Sequence, residues 1–573
     1  MTFMPLQLPP GIVRGANPDD APGRWYDGSL IRWRDSIMEP VGGWAKVTTT
    51  ALGSTLRRIH QWRRNNNLVM TLIGADSHLY SDVSGTYTNV APGDMVALTT
   101  STGGGYGAST YGSSTYGTPR SGTTSLSPLR PAWTMDSWGE DVLAVNSTDG
   151  RLFYYTSGSP GTAVTTVGVY SISTISRTSN VSTIVTTAAH NLTTGDLVKV
   201  AGVTDATFNT SSVSVTVTNS TTFTYANTGT NGSSTGGTVT DLLVPTGNRA
   251  VIVTPERFAM LLQCGGNTRR VGWSSREDYT DWNSASTTNT AGFLDLQTET
   301  PLVAGCKVRE GTLIWSVNRA FLMRYVNLPY IYGADELGTT QLYAPNAFAE
   351  FDGRCVWMDA AGFAMYEGGV MRPLASTLTD YVFSSIDPVY GPRVSHACAN
   401  GKFNEVWFFY PSLGSSECDR YVMWNYIDNT WSMGALARSA GFPSGVGSYP
   451  LMTGVDKHVY QHENGWTYDT FDVSNIFVAS GTLNMPDAEQ SLNISQVLPS
   501  NGGNYNLTNF SFYSRMAPSG AERTFGPYAS RSDGYVDCRV TGRDVRIKIS
   551  ANAAGDWSIG RLRLKVGSAG GRR

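Results

Sequence analysis

The stretch CVWMDAAGFAMYEGG, residues 355–369, sets the pattern that decides the fold. An apolar run, CVWM, is followed by a short turn and by a second run of aromatic and aliphatic residues, FAMY. Such residues fit the pleated surface of a strand, and Gly and Asp suit the turns between strands. The stretch therefore predicts two adjacent antiparallel strands of a small sheet.

The same unit recurs along the chain. Further copies are LVMTLIGADSHLY (68–80), DVLAVNSTDGRLFYY (141–155), FAMLLQCGGNTRRVGW (258–273), TLIWSVNRAFLMRY (312–325), EVWFFYPS resuming as RYVMWNYIDNTW (405–431), and LMTGVDKHVYQHENG (451–465). The copies that start at 258, 312, 355, 405 and 451 are 54, 43, 50 and 46 residues apart. This matches the ~40–50-residue period of propeller blades, small sheets that stack because they cannot bury both faces alone. We predict an all-β fold with a β-propeller platform; a sandwich or an elongated array of β-domains is the alternative.

Composition supports this fold class. The chain has 573 residues, enough for several cores, and only 15% of them are charged, well below the ~25% of ordinary domains. Its net charge of −3 excludes the basic kind of nucleic-acid binder. The N-terminus, MTFMPLQLPPG, lacks the basic and apolar regions of a signal peptide, and no apolar run approaches membrane-spanning length. We therefore expect neither classical export nor a membrane span.

Shifts in pattern divide the chain into five predicted regions. These are an extended N-terminal arm (1–50), first propeller blades with a Gly/Tyr-rich loop at 101–122 (51–168), an inserted small β-module (169–242), the remaining blades (243–470) and a C-terminal antiparallel β-domain (471–573). In the insert Val213, Val215 and Val217 alternate with Ser and Thr, which is typical of a half-buried strand. The run 545–550 alternates in the same way in the C-terminal region. A single helix is expected near STLTDYVFSSID (376–387).

Cysteine and histidine residues give no sign of a metal or redox site. The six cysteines contain no C-x-x-C pair, and Cys264, Cys355 and Cys538 lie beside strand-like runs, as small buried hydrophobes do. This favours a reducing compartment over a disulfide framework. His458 and His462 share a strand face but lie two steps apart, too far for easy joint ligation of zinc. We predict no metal and no cofactor.

Motifs of catalysis are also missing from the sequence. No G-x-S-x-G, G-x-x-x-x-G-K-[ST] or H-E-x-x-H occurs. DNTW (428–431) keeps only fragments of the sialidase-type turn, and NSTDGRLF (146–153) lacks its spacing. The paired acids that glycoside hydrolysis needs cannot be nominated. We therefore predict no catalytic residue and expect that the protein is not an enzyme.

One basic cluster, RRIHQWRR at 57–64, is a candidate DNA contact. It resembles one arm of a hairpin that turns at 65–67. Its arginines could contact phosphates, or they could line a solvated or inter-subunit edge strand, where charges block unwanted pairing. The second interpretation is the one we favour.

Several motifs together resemble a known family. PPGIVRG (9–15), GRWYDGSLIRWRD (23–35) and PVGGW (40–44) are similar to the N-terminus of bacteriophage tail nozzle proteins, the tail tubular protein B and tail-hub class of short-tailed phages. Further matches, in the same order, are YGTPRSG (116–122), WTMDSWGEDVLAV (133–145), VGWSSREDYTDWN (271–283), YVMWNYIDNTWS (421–432) and DVRIKISANAAGDWSIG (544–560). The insert, with TTAAHNLTTGDLVKVAGV (186–203) and TFTYANTGT (222–230), resembles a small β-module spliced into many phage structural proteins.

This resemblance implies a structural protein of the virion tail, made and assembled in the host cytoplasm. It implies a homohexameric ring below the head-to-tail adaptor ring, with tail fibres or spikes as further partners and double-stranded DNA in transient passage. A ring multiplies every charge on its inner wall, and each cation on a phosphate adds salt-dependent affinity. A chain of net charge −3 fits a conduit through which DNA must slide. The alternative function is a receptor-binding or glycan-depolymerising tail propeller.

Two groups of residues are the predicted functional sites. Aromatic and arginine side chains dominate interface energetics, so the Trp/Arg-rich arm predicts an assembly interface formed by Arg24, Trp25, Arg32, Trp33 and Trp44. The uncharged loop at 101–119 predicts a channel gate in which Tyr106, Tyr111 and Tyr116 pack together. The alternative for this loop is an outward-facing flexible segment.

Overall fold

The computed structural model describes residues 2–15, 17–83, 85–96, 130–483, 491–502, 504–517 and 520–568. The predicted gate residues Tyr106, Tyr111 and Tyr116 lie outside these residues. Within them, the chain is built almost entirely from strands, with two short α-helices, α1 (Thr379–Ser385) and α2 (Gly391–Val394). No helix in these ranges is long and apolar enough to cross a membrane.

The strands follow one another in short segments. In chain order they are β1 (Thr2–Leu6), β2 (Trp25–Ser29), β3 (Ile31–Arg34), β4 (Ile37–Pro40), β5 (Trp44–Lys46), β6 (Leu56–Arg63), β7 (Val69–Ala75), β8 (Leu79–Val83), β9 (Thr86–Asn89), β10 (Trp133–Trp138), β11 (Asp141–Asn146), β12 (Leu152–Tyr155), β13 (Thr165–Thr166), β14 (Val169–Thr178), β15 (Val181–Thr186), β16 (Leu197–Ala201), β17 (Thr210–Asn219), β18 (Thr222–Ala226), β19 (Gly232–Ser234), β20 (Thr238–Asp241), β21 (Ala250–Val253), β22 (Ala259–Leu262), β23 (Arg270–Trp273) and β24 (Gly292–Asp295). They continue with β25 (Leu302–Val308), β26 (Gly311–Ser316), β27 (Arg319–Asn327), β28 (Ile331–Thr339), β29 (Phe348–Phe351), β30 (Arg354–Asp359), β31 (Gly362–Glu367), β32 (Val370–Leu374), β33 (His396–Asn400), β34 (Glu405–Tyr410), β35 (Arg420–Asn425), β36 (Thr430–Ala435), β37 (Arg438–Phe442), β38 (Leu451–Gly454), β39 (Val459–His462), β40 (Phe477–Ser480), β41 (Leu492–Asn501), β42 (Thr508–Arg515), β43 (Arg523–Ala529), β44 (Val536–Gly542), β45 (Asp544–Ala551) and β46 (Ile559–Ser568).

The chain divides into two compact units, unit 1 (Met1–Gln61 and Leu342–Arg573) and unit 2 (Trp62–Gln341). Among the described residues, seven sheets have four strands each: β6–β9, β10–β13, β21–β24, β25–β28, β29–β32, β33–β36, and β37–β39 with β5. The first six are meanders in which each strand pairs with the next one in the sequence. This is the architecture of a propeller blade.

Blades stack through their first strands within each unit. In unit 2, β21 contacts both β10 and β25, and in unit 1, β33 contacts both β29 and β37. The buried faces between neighbouring sheets form apolar cores, one of which holds Phe258, Trp273 and Tyr332. Each sheet thus covers the face that its neighbour cannot bury alone. The predicted all-β fold with propeller-type blades is confirmed.

The blade β37–β39 takes its fourth strand from the N-terminal region. β5 pairs antiparallel with β39, and Trp44 lies opposite His462. Two further backbone hydrogen bonds flank this strand pairing. Trp44 N donates to the Thr467 carbonyl (2.8 Å), and Val47 N donates to the Val459 carbonyl (2.8 Å). A strand near the start of the chain therefore completes a sheet formed more than 400 residues later.

The remaining N-terminal strands join the C-terminal strands in two further sheets of unit 1. One has the order β3-β4-β46-β41-β44, with β1 also on β46, and the other has the order β2-β40-β45-β42-β43. This differs from the expected extended arm at 1–50. Pro5 is tolerated because it lies on β1, which pairs only with β46. The β3–β4 hairpin turns through Asp35 and Ser36, both at positive φ (52° and 64°), as a two-residue hairpin turn requires.

The alternating apolar residues of the C-terminal region lie on one buried face of a strand, as expected. Val545, Ile547 and Ile549 on β45 are at most 1% exposed, and the residues between them are half-buried. Their buried face packs into the large core of unit 1. The interpretation of this region as an antiparallel sheet with one buried face is confirmed.

Between Val169 and Asp241 the insert folds as a small closed barrel. Its strands pair in the circular order β14-β15-β18-β17-β16-β20 and back to β14, with β19 as an extra strand on β14. Closure leaves no exposed sheet edge in the ring. The barrel has its own core, in which Ile184, Phe208 and Phe223 are fully buried. Its two ends are adjacent, because Asp241 N donates to the Gly168 carbonyl (2.7 Å).

Deletion of residues 170–242, with a short Gly/Ser link in their place, is expected to leave the blades folded. The barrel has a separate core and its ends meet, so a link of two or three residues spans the gap. Thermal unfolding of the deletion variant, followed by near-ultraviolet circular dichroism, should keep the blade transition within a few degrees of the parent chain. Recovery of the variant only as aggregate would show that the blades depend on the insert.

The expected helix is present in shortened form as α1; Leu378, which precedes it, and Val382 are buried, and Tyr381 is half-buried. The Ser376 hydroxyl accepts a hydrogen bond from Leu378 N (3.1 Å), so it caps the preceding turn. The basic cluster forms β6 and the turn that follows it, closed by Asn67 N on the Arg64 carbonyl (2.9 Å).

Candidate functional site: the N-terminal junction

The five residues predicted to form an assembly interface lie within residues 24–44, here called the N-terminal junction. Trp25, Trp33 and Trp44 are only 3–4% exposed and belong to the core of unit 1. Arg32 is 2% exposed, and Arg24 is half-buried. The expectation of an interface is therefore corrected for the three tryptophans and Arg32, because side chains buried within one chain are not available to a neighbouring subunit. For Arg24 the interface stays a prediction.

The junction centres on the guanidinium of Arg32, which lies between two buried carboxylates. Arg32 Nε is 2.8 Å from Glu405 Oε1, and Arg32 Nη1 donates to Glu463 Oε2 (3.1 Å). A further hydrogen bond joins Arg32 Nη2 to Glu463 Oε1. The guanidinium also stacks over the Phe403 ring at 3.7 Å. β3 thus holds a cation against β34 and the end of β39.

The remaining carboxylate oxygens of this cluster have partners as well. Trp407 Nε1 donates to Glu405 Oε2 (3.1 Å), and Gly42 N donates to Glu463 Oε2 (3.1 Å). Charged groups that are buried away from water are tolerated only when such hydrogen bonds satisfy their donors and acceptors. Arg32 Nε lies 2.8 Å from Glu405 Oε1 without forming a hydrogen bond, and the other contacts of this buried network fix the position of β3.

The two glycines of PVGGW (40–44) are explained by close approach. A Cβ atom at Gly42 would lie 2.4 Å from Glu463 Oε2, and one at Gly43 would lie 2.1 Å from the Thr467 carbonyl oxygen. Any side chain at Gly42 would push the carboxylate away from Arg32. The motif is therefore required by the geometry of the network.

Trp44 is enclosed by aromatic and cationic groups. Its ring stacks on His462 (5.2 Å between centroids) and meets Tyr468 edge-on (5.1 Å). The Arg438 guanidinium lies 5.0 Å above the indole and donates from Nε to His462 Nε2 (2.8 Å). Burial, together with the nearby Arg438 charge, lowers the pKa of His462 well below its usual range. This histidine is therefore a neutral hydrogen-bond acceptor in the core.

Motifs that are distant in the sequence meet at the junction. Leu30 N donates to the Tyr421 hydroxyl (2.7 Å), and Ile12 N donates to the Trp431 carbonyl (2.8 Å). Met38 on β4 lies opposite Ile559 on β46. The N-terminal motifs at 9–44 thus contact both YVMWNYIDNTWS (421–432) and the closing motif at 544–560. These three segments of the resemblance therefore meet in the core of unit 1, whereas the motifs at 133–145 and 271–283 belong to unit 2.

Burial is the largest single influence on the pKa values of Glu405 and Arg32 in this network. Burial raises the pKa of Glu405 to about 7, although the Arg32 charge opposes this rise. Burial also disfavours the charged form of Arg32, but the carboxylates of Glu405 and Glu463 outweigh it and raise the pKa of the guanidinium. Arg32 therefore stays charged, and Glu405 releases its proton at a higher pH than an exposed glutamate does.

The variant Glu405→Gln is expected to flatten the pH dependence of stability. The unfolded chain releases the Glu405 proton near 4.5, whereas the folded chain holds it up to about 7. Between these values the folded state binds more protons, so the parent chain loses stability as pH rises. Relative to the variant, this loss should be on the order of 1–3 kcal/mol, measured by urea unfolding at pH 5 and pH 8. Parallel pH profiles of the two chains would show that Glu405 does not titrate in this window.

The two glutamates are not arranged for glycan chemistry. Their side chains are 1% and 4% exposed, and both are committed to Arg32. A groove of about 790 Å³ beside the junction is open to solvent. Its lining includes the apolar side chains of Leu8, Met38 and Leu562, together with Asp35 and Arg561. The buried pair can position β3, but a substrate cannot reach it.

Other predicted residues occupy structural positions. Arg57 of the basic cluster forms an ion pair with Glu417 (2.6 Å), and Arg64 approaches Glu140 (3.6 Å). β6 is the edge strand of its sheet, as the favoured interpretation expected, but the Arg57 side chain is buried (5% exposed) and not solvated. All six cysteines are free; Cys264 and Cys355 are buried, as expected, and Cys538 is half-buried. In the part of the chain that the structure describes, no three His, Cys, Asp or Glu side chains cluster as metal ligands.

Comparison with known proteins gives structural similarity only. No family model and no curated protein matches the sequence. Among solved structures the chain is similar to BamB from Moraxella catarrhalis, with a TM-score of 0.29 and 8% identity over 60% of this chain and 84% of BamB. It is also similar to a glycoside hydrolase (TM-score 0.24, 7% identity, 91% of this chain and 100% of that one). A third is the extracellular domain of a one-component system from B. thetaiotaomicron (TM-score 0.21, 9% identity, 90% and 86%). TM-scores this low carry no functional argument.

Proposed function

We propose that this protein is a structural subunit of a bacteriophage tail, of the nozzle or tail-hub class. In this role it forms a homohexameric ring below the head-to-tail adaptor and surrounds the DNA exit channel. Its partners are copies of itself, the adaptor ring, tail fibres or spikes, and the DNA that passes through. The role is architectural and needs no cofactor.

The observation that supports this proposal most strongly is the meeting of three resemblance segments, 9–44, 421–432 and 544–560, at the N-terminal junction. Here Leu30 bonds to Tyr421, Ile12 bonds to Trp431 and Met38 lies opposite Ile559. In unit 1 the resemblance therefore concerns segments that are in contact with one another, although they are far apart in the sequence.

Charge gives a second line of support. The basic cluster is the strongest candidate for DNA contact, and two of its arginines are neutralised by Glu417 and Glu140. A wall with few free cations lets DNA slide, because each phosphate contact adds salt-dependent affinity. Tyr106, Tyr111 and Tyr116 keep their proposed role as a gate at the channel.

A second candidate function, a receptor-binding or glycan-depolymerising tail propeller, follows from the alternative interpretation of the sequence. It requires a rim cluster of aromatic side chains with nearby carboxylates, and its depolymerising form also requires a pair of accessible acids, ~5–9.5 Å apart. Glu405 and Glu463 do not meet this condition, because both are buried on Arg32. A polysaccharide-release assay on host surface glycan separates the two functions, and the nozzle proposal predicts no released sugar.

The mass of the purified assembly tests the ring directly. Light scattering after size-exclusion chromatography should give about six times the chain mass of 61.8 kDa. A reconstituted particle of this size should show little affinity for duplex DNA, and this weak binding should vary little with salt concentration. A stable monomer that releases sugar from host polysaccharide would contradict the nozzle proposal and favour the second candidate.

A further inference from the structure

The hairpin β27–β28 of unit 2 extends beyond the sheet to which it belongs. β26 pairs with β27 only from Ala320 to Met323. From Arg324 onward, β27 pairs with β28 alone, through Tyr325 opposite Tyr332 to Asn327 opposite Ile331. The last residues of the hairpin, 324–333, therefore form a two-stranded projection, here called the hairpin tip.

Several side chains of the hairpin tip are apolar and exposed. Val326 is 51% exposed, Leu328 is 70% exposed and Tyr330 is 77% exposed, with Pro329 between the last two. Residues 325–334, YVNLPYIYGA, contain no charged side chain. Hairpin turns normally carry Gly, Asn or Asp, and several large apolar side chains on one exposed turn mark an interaction site.

The base of the tip is rigid. The Tyr332 ring lies 5.5 Å from Phe258 and 5.2 Å from Trp273, and its hydroxyl is 2.8 Å from the Thr254 hydroxyl. At the turn, the Asn327 side chain accepts a hydrogen bond from Leu328 N (2.9 Å). The exposed side chains are therefore presented by a fixed support, which lowers the entropic cost of binding.

We propose that the hairpin tip inserts into the surface of a phospholipid bilayer. Three side chains cover at most a few hundred Å², well below the ~1,200 Å² of a stable protein–protein interface, so a protein partner has too little to hold. Leu and Val suit the acyl region, and Tyr suits the boundary between lipid and water, where its hydroxyl stays wet. A convex apolar point can enter a bilayer without a complementary pocket.

Charge at the base of the tip agrees with a neutral lipid surface. Arg324 pairs with Asp335 (3.2 Å), and Arg319 pairs with Glu336 (2.7 Å). The hairpin therefore carries equal numbers of positive and negative side chains and offers no electrostatic attraction to anionic partners. Binding through the tip depends on apolar burial and persists at high salt.

Sedimentation with phosphatidylcholine vesicles tests this site on the full chain. The parent protein should sediment with the vesicles, and about 0.5 M salt should not release it. The double variant Leu328→Asp, Tyr330→Asp should lower the vesicle-bound fraction at least tenfold, because a charge at each position opposes burial. A matched control is Leu413→Asp, since Leu413 is 71% exposed on a turn of unit 1; it should bind like the parent. Circular dichroism confirms that all variants are folded.

Four outcomes would overturn the lipid site. These are no sedimentation of the parent with vesicles, release by salt, an equal loss in the Leu413 control, and a tip variant that binds vesicles normally but changes the mass of the assembly. The last result would identify the tip as a protein contact. None of them bears on the proposed tail function, which the mass of the parent assembly tests separately.

Discussion

Replacement of Arg32 by Met is expected to lower the free energy of unfolding of unit 1 by about 3–5 kcal/mol. The substitution keeps an apolar stem of similar length but leaves Glu405 and Glu463 without their cation. Both carboxylates are nearly inaccessible to water, so neither can be rehydrated in the folded state. Urea unfolding at neutral pH, followed by tryptophan fluorescence, measures the loss.

The neighbouring Arg34 offers a matched control on the same strand. Its side chain is 60% exposed and pairs with Glu39 (2.9 Å), whose side chain is 14% exposed. A pair whose cation stays in contact with water contributes about 0–1 kcal/mol, so Arg34→Met should cost much less than Arg32→Met. Equal, small effects of the two substitutions would refute the idea that the buried network holds the N-terminal junction.

Replacement of Trp33 by Ala is expected to cost about 3–5 kcal/mol in the stability of the single chain. Trp33 is 3% exposed and packs in the unit 1 core, so its removal leaves a large cavity. The sequence alone suggested an interface residue, whose loss would impair assembly and spare folding. The structure indicates the opposite, because the substitution should impair folding of the single chain. Unfolding should therefore be measured on the dissociated chain.

The control for this variant is Ile37. It lies on β4, which pairs with β3, the strand that contains Trp33. It is 43% exposed, so Ile37→Ala should cost less than about 1 kcal/mol. If Trp33→Ala unfolds at the same urea concentration as the parent yet fails to assemble, the original interpretation of the junction as an assembly interface would be restored.

Local patterns in the sequence predicted the blades well. A blade strand pairs with its neighbour through a short hairpin, so a run such as CVWMDAAGFAMYEGG (355–369) contains both partners. The inserted β-module could be predicted for a related reason, because its strands of alternating apolar and polar residues are close together in the sequence. Short-range pairing needs no knowledge of the rest of the chain.

Long-range pairing was not predictable in the same way. Arg32 hydrogen-bonds to Glu405 and Glu463, which are 373 and 431 residues away in the sequence. β5 joins a sheet whose other strands come from residues 438–462. One signal was present: Arg32 lies between Ile31 and Trp33, and a cation within an apolar strand requires a buried carboxylate partner. The prolines near it favoured a loose arm and concealed that signal.

Cryo-electron microscopy of DNA-filled and emptied phage particles is the decisive test of the proposed ring. We expect six copies of this chain in a ring coaxial with the DNA, directly below the head-to-tail adaptor, with the N-terminal junction intact in both states. Absence of the chain from the particles, or its location in a peripheral appendage away from the DNA axis, would refute the proposed role.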